Sequence, residues 1–175
     1  MSCGTPGMEN AGCIFLFGYN PNTSHPLVAR RVVRAKEKGA KIIVADPRFI
    51  ETARIADIYM PLRNGSNIAF LNSFAYSIIE QGLVDEEFVR DHTSGYEEFV
   101  KIIEKYPPEA TRSITGIDPA MMREAAYLYA TAEPSSIIGW GMGVCQHLQN
   151  VEAVHTCAVE VEAEGGGLGR ERAVE

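Results

Sequence analysis

The sequence predicts an α/β fold: a doubly wound, mostly parallel sheet with helices on both faces. Two observations lead to this prediction. Residues 13–17 are a continuous apolar run, which is the pattern of a strand covered on both faces. Strand patterns then alternate with helical patterns along the chain, and right-handed crossovers between successive strands make such a sheet mostly parallel. This architecture is Rossmann-like.

A helix and a second strand follow the first strand. Residues 26–38 have apolar positions at helical spacing, and Pro26 suits a first helical turn, whereas Gly39 suits a C-terminal cap. Residues 41–45 are a second apolar run, which ends before Pro47 because proline cannot continue a ladder. The chain therefore opens with a strand–helix–strand unit.

The later elements alternate in the same way. Residues 49–56 are predicted as a short helix and residues 57–62 as a third short strand. The apolar residues 68–81 follow as a long helix, which Ser66 or Asn67 can cap. The remaining predicted elements are three mostly polar helices at 85–90, 96–105 and 119–132, a final strand at 136–140 and a segment of mixed helical character at 146–159.

One domain is expected, because 175 residues with 46% hydrophobic content can bury one core. We assign it to residues 13–159. Residues 1–12 are rich in glycine, proline and serine and are expected to form a flexible arm. The Glu/Gly-rich residues 160–175 are expected to form a flexible polar tail.

Charge and composition argue against several functional classes. A net charge of −7 without a Lys/Arg-rich block disfavours a nucleic-acid partner. No apolar run approaches the ~20 residues that span a bilayer and the chain does not begin with a signal-peptide pattern, so we expect no membrane span and a cytoplasmic location. The four cysteines lack ligand-like spacing, so no metal site made by this chain is predicted.

A ligand site is predicted where the four strands end. In an open parallel sheet, ligands bind at the carboxyl ends of the strands. Four polar turns at this edge would hold a large nucleotide-type ligand, and the alternative is four unrelated tight turns. The turns are Gly18-Tyr19-Asn20, Asp46-Pro47-Arg48, Asn64-Gly65-Ser66-Asn67 and Gly141-Met142-Gly143.

The residue types in these turns suit a nucleotide. Gly18 lets backbone N–H groups approach an anion, so Gly18→Val is expected to abolish binding while the protein still folds. The alternative is that Gly18 is only a turn residue with positive φ, in which case the substitution chiefly costs stability. Asn20 offers donors and acceptors, and the acceptor-only Asp46 suits ribose hydroxyls or guanine N–H groups. Arg48 suits a phosphate, and its alternative is a surface ion pair with Glu51.

Other features are ambiguous or absent. Ser66 and Asn67 either line the site or only cap their helix, and His147, which follows Gln146, is either functional or a hydrogen-bonded structural residue. The chain contains no P-loop, no G-x-G-x-x-G spacing and no nucleophile elbow, so no catalytic residue is predicted.

Several ordered motifs make the chain resemble the molybdopterin oxidoreductase family and, within it, the catalytic subunits of formate dehydrogenases. The resemblance covers about residues 13–152. The motifs are Phe-Gly-Tyr-Asn-Pro at 17–21, Ser24-His25-Pro26, Ala45-Asp46-Pro47-Arg48, Asn64-Gly65-Ser66-Asn67, Ile114-Thr115-Gly116 and Gly139-Trp140-Gly141-Met142-Gly143 with Gln146-His147.

The resemblance implies a bis(molybdopterin guanine dinucleotide) cofactor that carries molybdenum or tungsten. It implies that Gly18, Tyr19, Asn20 and Ser24 contact pyrophosphate and pterin-side groups. Asp46, Pro47 and Arg48 would line the guanosine pocket, with Gly65, Ser66 and Asn67 beside it. Met142 and Gln146 would face the cofactor nearer the metal.

Two departures qualify this resemblance. Members of the family begin with a four-cysteine iron–sulfur segment and a metal-ligating Cys or selenocysteine, which are missing here, so we expect a fragment that is inactive alone. The complete enzyme would oxidise formate to carbon dioxide and could pass electrons to a separate subunit. The alternative is a non-catalytic nucleotide-binding or interaction module that retains only the fold.

Overall fold

The computed structural model describes residues 5–146 and contains one four-stranded parallel sheet. The strands are β1 (Cys13–Phe17), β2 (Lys41–Ala45), β3 (Ile58–Met60) and β4 (Ser136–Trp140), and they lie in the order β3-β2-β1-β4. Phe15 of β1 pairs with Ile43 on one side and with Ile138 on the other. The predicted α/β class is confirmed.

Helices connect the strands. The α-helices are α1 (Pro21–Ser24), α2 (Pro26–Glu37), α3 (Asn67–Glu80), α4 (Glu86–His92), α5 (Tyr96–Ile103), α6 (Pro108–Thr115), α7 (Pro119–Ala130) and α8 (Met142–Cys145). Two 3-10 helices cover Thr5–Asn10 and Glu51–Arg54. None of the helices between residues 5 and 146 is long and apolar enough to cross a membrane.

Strand β1 is buried on both faces, as its apolar run predicts. Its odd-numbered side chains pack against α3 and α7, where the rings of Phe15 and Phe74 stack with centroids 5.2 Å apart. Its even-numbered side chains, Ile14 and Leu16, pack in a second core cluster that contains Val32 of α2. Because successive side chains of a strand point to opposite faces, one apolar run supplies both cores.

The described part of the expected flexible arm is a 3-10 helix. Met8 of this segment is buried against α2, and the Glu9 carboxylate accepts hydrogen bonds from Arg31 at 3.0 Å and Arg34 at 3.3 Å. The basic face of α2 is therefore partly neutralised by the segment that precedes β1. The expected helical segment at 147–159 and the polar tail lie outside the described residues.

Helices α1 and α6 are absent from the sequence-based prediction. Helix α6 begins at Pro108, is followed by Gly116 and packs against α3, where the buried Thr111 hydroxyl donates to the Ser73 hydroxyl at 2.9 Å. Its polar composition lacks the apolar spacing from which a helix is predicted, although a proline at the start and a glycine after the end are standard helix-boundary signals. Helix α1 directly follows the first polar turn, and α8 begins within the last one, at Met142; neither is predicted as a helix from the sequence.

Candidate functional site

A cavity of about 920 Å³ opens at the carboxyl ends of the strands. The chain proceeds from β1 through β2 to β3 in one direction across the sheet and later returns to place β4 on the other side of β1. A crevice forms where the strand order reverses in this way, and ligands of doubly wound proteins bind there. The predicted position of the site therefore coincides with the cavity.

Nine of the twelve predicted site residues line the cavity: Gly18, Tyr19, Asn20, Ser24, Asp46, Pro47, Arg48, Asn67 and Met142. Gly65, Ser66 and Gln146 are not among its lining residues. All four predicted turns thus contribute at least one residue to a single cavity. The structure brings them together because the carboxyl ends of parallel strands share one edge.

The backbones of Gly18 in the first turn and Gly143 in the last turn pack so closely that neither residue has room for a side chain. The Gly18 N–H donates to the Ala45 carbonyl at 2.9 Å, and the Gly143 N–H donates to the Gly18 carbonyl at 3.1 Å. A Cβ atom on Gly18 would lie 2.9 Å from the carbonyl carbon of Gly143. The structure therefore favours the alternative that a substitution at Gly18 costs stability, because the space beside Gly18 is filled by backbone of the last turn.

Asn20 presents a buried acceptor without a partner. Its side-chain Nδ2 donates to the Thr23 hydroxyl at 3.1 Å, and its backbone carbonyl oxygen accepts from the Ser24 hydroxyl at 2.9 Å. Its Oδ1 atom is buried and has no hydrogen-bond partner in the described part of the chain. A buried acceptor that lacks a donor costs about 1–3 kcal/mol, so this position fits a ligand that supplies one.

Asp46 is a buried carboxylate at the end of β2. Its Oδ1 accepts the Arg48 backbone N–H at 2.8 Å, and its backbone carbonyl accepts the Tyr59 hydroxyl at 3.1 Å. Burial and the negative charge of Asp46 raise the pKa of Tyr59 above its ordinary value, which keeps this donor protonated. Within residues 5–146 the second oxygen, Oδ2, accepts no hydrogen bond, so it is available to a ribose hydroxyl or a guanine N–H.

The Arg48 side chain is 75% exposed, with its Nε atom 3.9 Å from Asp46 Oδ1. Among the described residues this carboxylate is its ion-pair partner, and Glu51 is not. An exposed guanidinium keeps most of its donors free, so Arg48 retains the capacity to bind a phosphate.

The turn before α3 divides into structural and cavity-lining residues. Ser66 is buried, and its hydroxyl donates back to the Arg63 carbonyl at 2.6 Å without capping α3. Asn67 is also buried, and its Nδ2 donates to the Gly143 carbonyl at 3.2 Å. Gly65 has a φ of +80° and open space beside it, so its glycine is explained by the turn itself.

Met142 is the first residue of α8, and Gln146 directly follows its last residue. Met142 is 66% exposed at the cavity, and Gln146 Nε2 donates to the Met142 sulfur at 3.4 Å. Gln146 can therefore orient the Met142 side chain, although it does not line the cavity. His147 lies outside the described residues.

The cavity is also lined by polar and aromatic residues that the sequence analysis did not assign to the site, among them Arg63, His25 and Trp140. The Arg63 guanidinium donates through Nη1 to the Ser113 carbonyl at 2.5 Å, at the end of α6. His25 and Trp140 also line the cavity, and the His25 ring lies 5.6 Å from the Tyr19 ring. Arg63 directly precedes the third turn, and this position could have indicated from the sequence that it lies at the site.

Residues 5–146 contain no group of three or more His, Cys, Asp or Glu side chains that could hold a metal ion. The donors and acceptors of the cavity are instead an amide, a carboxylate and guanidinium groups, which suit the hydroxyls, N–H groups and phosphates of a nucleotide. The residues present therefore fit the nucleotide end of a cofactor.

The fold and the cavity define an α/β domain with a ligand-sized cavity at the point where its strand order reverses. The profile of the molybdopterin oxidoreductase family matches residues 1–171, and the chain belongs to this family. Membership implies a molybdopterin cofactor with molybdenum or tungsten.

Formate dehydrogenases are among the most similar relatives. Formate dehydrogenase H of Escherichia coli (strain K12) is 52% identical over 149 residues, which are 85% of this chain and 21% of that protein. The F420-dependent formate dehydrogenase 1 subunit alpha of Methanococcus maripaludis is 47% identical over 150 residues, 86% of this chain and 22% of that subunit. The chain thus spans about a fifth of the length of these relatives.

A solved structure has the same fold. Acetylene Hydratase from Pelobacter acetylenicus superimposes with a TM-score of 0.82 at 28% sequence identity, covering 92% of this chain and 24% of that one. The chain is therefore a molybdopterin oxidoreductase domain similar to the catalytic subunits of formate dehydrogenases.

Proposed function

We propose that this chain binds the guanine nucleotide end of a bis(molybdopterin guanine dinucleotide) cofactor in a formate dehydrogenase-like enzyme. The observation that carries the proposal is the cavity of about 920 Å³, which is lined both by Asn20, whose Oδ1 has no hydrogen-bond partner among residues 5–146, and by the buried Asp46 carboxylate. Both groups are acceptors: guanine and ribose would supply N–H and O–H donors to Asp46, and the pterin side of the cofactor would supply a donor to Asn20.

Each part of the nucleotide has a matching group. Asp46 would accept hydrogen bonds from guanine or ribose, and Arg48 and Arg63 would bind phosphate oxygens. Asn20 and Ser24 would contact groups on the pterin side, next to Tyr19. The cofactor itself would supply the two-electron chemistry that converts formate to carbon dioxide, while this chain orients it and excludes water from its nucleotide end.

The remaining functions of the enzyme would lie in other segments or subunits. Molybdenum or tungsten, an iron–sulfur cluster and an electron-transfer subunit are parts of the proposed complete enzyme, for which a cytoplasmic location is proposed. The competing proposal is a module that keeps the fold and has lost the ligand. Binding of a guanine nucleotide by the chain itself separates the two.

The test is a fluorescence titration with GDP, because Trp140 is the single tryptophan of the chain and lines the cavity. GDP should change Trp140 emission saturably, and Asp46→Asn should weaken the affinity about tenfold or more, since a hydrogen bond to a charged group contributes ~1.5–3 kcal/mol. Asp118→Asn is the matched control, because it removes one carboxylate at the exposed start of α7 and asparagine still caps a helix.

Two results would contradict the proposal. A folded wild-type chain that leaves Trp140 emission unchanged up to millimolar GDP would favour the module without a ligand. Equal GDP affinities for Asp46→Asn and Asp118→Asn would place the nucleotide away from β2.

A further inference from the structure

Three of the four turns of the cavity and the end of β2 are joined by one continuous chain of hydrogen bonds. Asn67 Nδ2, at the start of α3, donates to the Gly143 carbonyl at 3.2 Å. The Gly143 N–H donates to the Gly18 carbonyl at 3.1 Å, and the Gly18 N–H donates to the Ala45 carbonyl at 2.9 Å. Asn67 is the only side chain among these links, so it is the member that a substitution can remove.

Asn67 adds an anchor to the last turn. Among residues 5–146, strand β4 pairs with β1 alone, and its burial decreases from Ser136 to Trp140. The turn that follows β4 packs against Gly18 and leads into the four-residue helix α8, whose Val144 is fully buried in the core. The hydrogen bond from the buried Asn67 ties this turn to the long helix α3 as well.

We propose that Asn67 is a positioning residue for the cofactor cavity: its amide holds the Gly141–Gly143 turn against the first turn and so fixes the floor of the cavity. This inference rests on the proposed function for its ligand but not for its geometry. It assigns to Asn67 a task beyond contact with the nucleotide, since one of its two Nδ2 donors is used by Gly143. The ligand would then lie over the two turns and not between them.

Trp140 reports the position of this turn, because it precedes Gly141 directly and is 38% exposed. Asn67→Asp is nearly isosteric but replaces the amide donor with a carboxylate that faces a carbonyl oxygen. We expect it to increase acrylamide quenching of Trp140 and to weaken GDP binding about tenfold. Asn67→Leu should have both effects as well, because it removes the donor without adding a charge.

The pH dependence of Trp140 quenching distinguishes the loss of the Asn67 donor from a general loss of stability. A protonated carboxyl has an O–H donor, so the quenching of Trp140 in Asn67→Asp should return towards the wild-type value as the introduced group is protonated. Asn67→Leu should show no such recovery. Ser77→Ala is the matched control: it removes another buried side-chain-to-carbonyl hydrogen bond of α3, from Ser77 Oγ to Ser73 at 2.8 Å, and should leave Trp140 quenching unchanged.

The outcomes separate this inference from the proposed function. If the wild-type chain binds no GDP, the proposed function fails, and Trp140 quenching alone still tests Asn67. If wild-type GDP binding is intact but both Asn67 variants keep wild-type quenching and affinity, the positioning role is refuted. Equal changes in Ser77→Ala and Asn67→Leu would also refute it, because the effect would then be a general one on α3.

Discussion

The contact between the first and last turns predicts that Gly18→Ala destabilises the protein more than Gly65→Ala does. Both glycines have a positive φ, +54° at Gly18 and +80° at Gly65, so alanine at either position pays the cost of a left-handed backbone, about 1–2 kcal/mol. Their surroundings differ. A Cβ on Gly65 meets nothing within 4 Å, whereas a Cβ on Gly18 lies 2.9 Å from the Gly143 carbonyl carbon and 3.1 Å from Val144 N.

The additional cost at Gly18 is that of overpacking. The neighbouring atoms are backbone and cannot rotate away as a flexible side chain would, so relief requires the turn after β4 to move. Such insertions typically cost 1–3 kcal/mol. We therefore expect Gly18→Ala to lower the free energy of unfolding by roughly 2–5 kcal/mol in total, against about 1–2 kcal/mol for Gly65→Ala.

Urea unfolding followed by circular dichroism measures this difference. With a dependence of about 1–3 kcal/mol per molar urea, the two variants should have midpoints separated by roughly 1 M. Gly143→Ala adds an independent check: its Cβ would lie 2.7 Å from the Gly18 carbonyl oxygen, and Gly143 has no positive φ. Equal midpoints for Gly18→Ala and Gly65→Ala, or a Gly143→Ala variant as stable as the wild type, would refute the contact.

Two further predictions concern stability away from the cavity. Thr111→Val should cost about 1–3 kcal/mol in urea unfolding, because it leaves the buried Ser73 hydroxyl without its partner at 2.9 Å. Although burial raises it, hydrogen bonds from Lys36 and the Ile42 N–H lower the pKa of Asp57 below its ordinary value. A lowered pKa means that the ionised Asp57 stabilises the folded state above the unfolded pKa of about 3.9, and that this contribution is lost as pH falls through the folded pKa. Asp57→Asn should therefore reduce the slope of unfolding free energy against pH in the acid range.

Each of these predictions has a clear contrary result. The exposed Ser113→Ala is the control for Thr111→Val, and equal midpoints for the two would mean that the hydroxyl pair contributes nothing. For Asp57, an unchanged slope of stability against pH below about pH 4 in Asp57→Asn would show that its carboxylate is not favoured in the folded state.

The sheet could be predicted from the sequence because its signals are local. The bounds of β1, β2 and β4 agree with three short apolar runs, and burial on both faces of a parallel sheet produces such runs. Helix α6 was missed because its polar residues lack an apolar stripe. It is stabilised by its packing on α3, including Thr111, which only the tertiary structure shows.

The position of the candidate site could also be predicted, but its internal contacts could not. Topology alone brings the ends of parallel strands to one edge, and this is why nine predicted residues line one cavity. In contrast, the Asn67–Gly143 bond joins residues 76 positions apart, and the Gly18–Gly143 contact joins residues still further apart. The sequence shows where a glycine or an amide side chain stands, but it does not show which distant backbone group that residue contacts.

These long-range contacts change how the cavity must hold an anion. In a glycine-rich phosphate loop, the backbone N–H groups of the turn bind the phosphate directly. Here the Gly18 and Gly143 N–H groups already donate to the Ala45 and Gly18 carbonyls, so neither can do so. In the proposed site, the side chains of Arg48 and Arg63, which line the cavity, would therefore neutralise the phosphate charge. The glycine turns would shape the floor of that site, and its affinity for a nucleotide would depend on residues that follow β2 and β3.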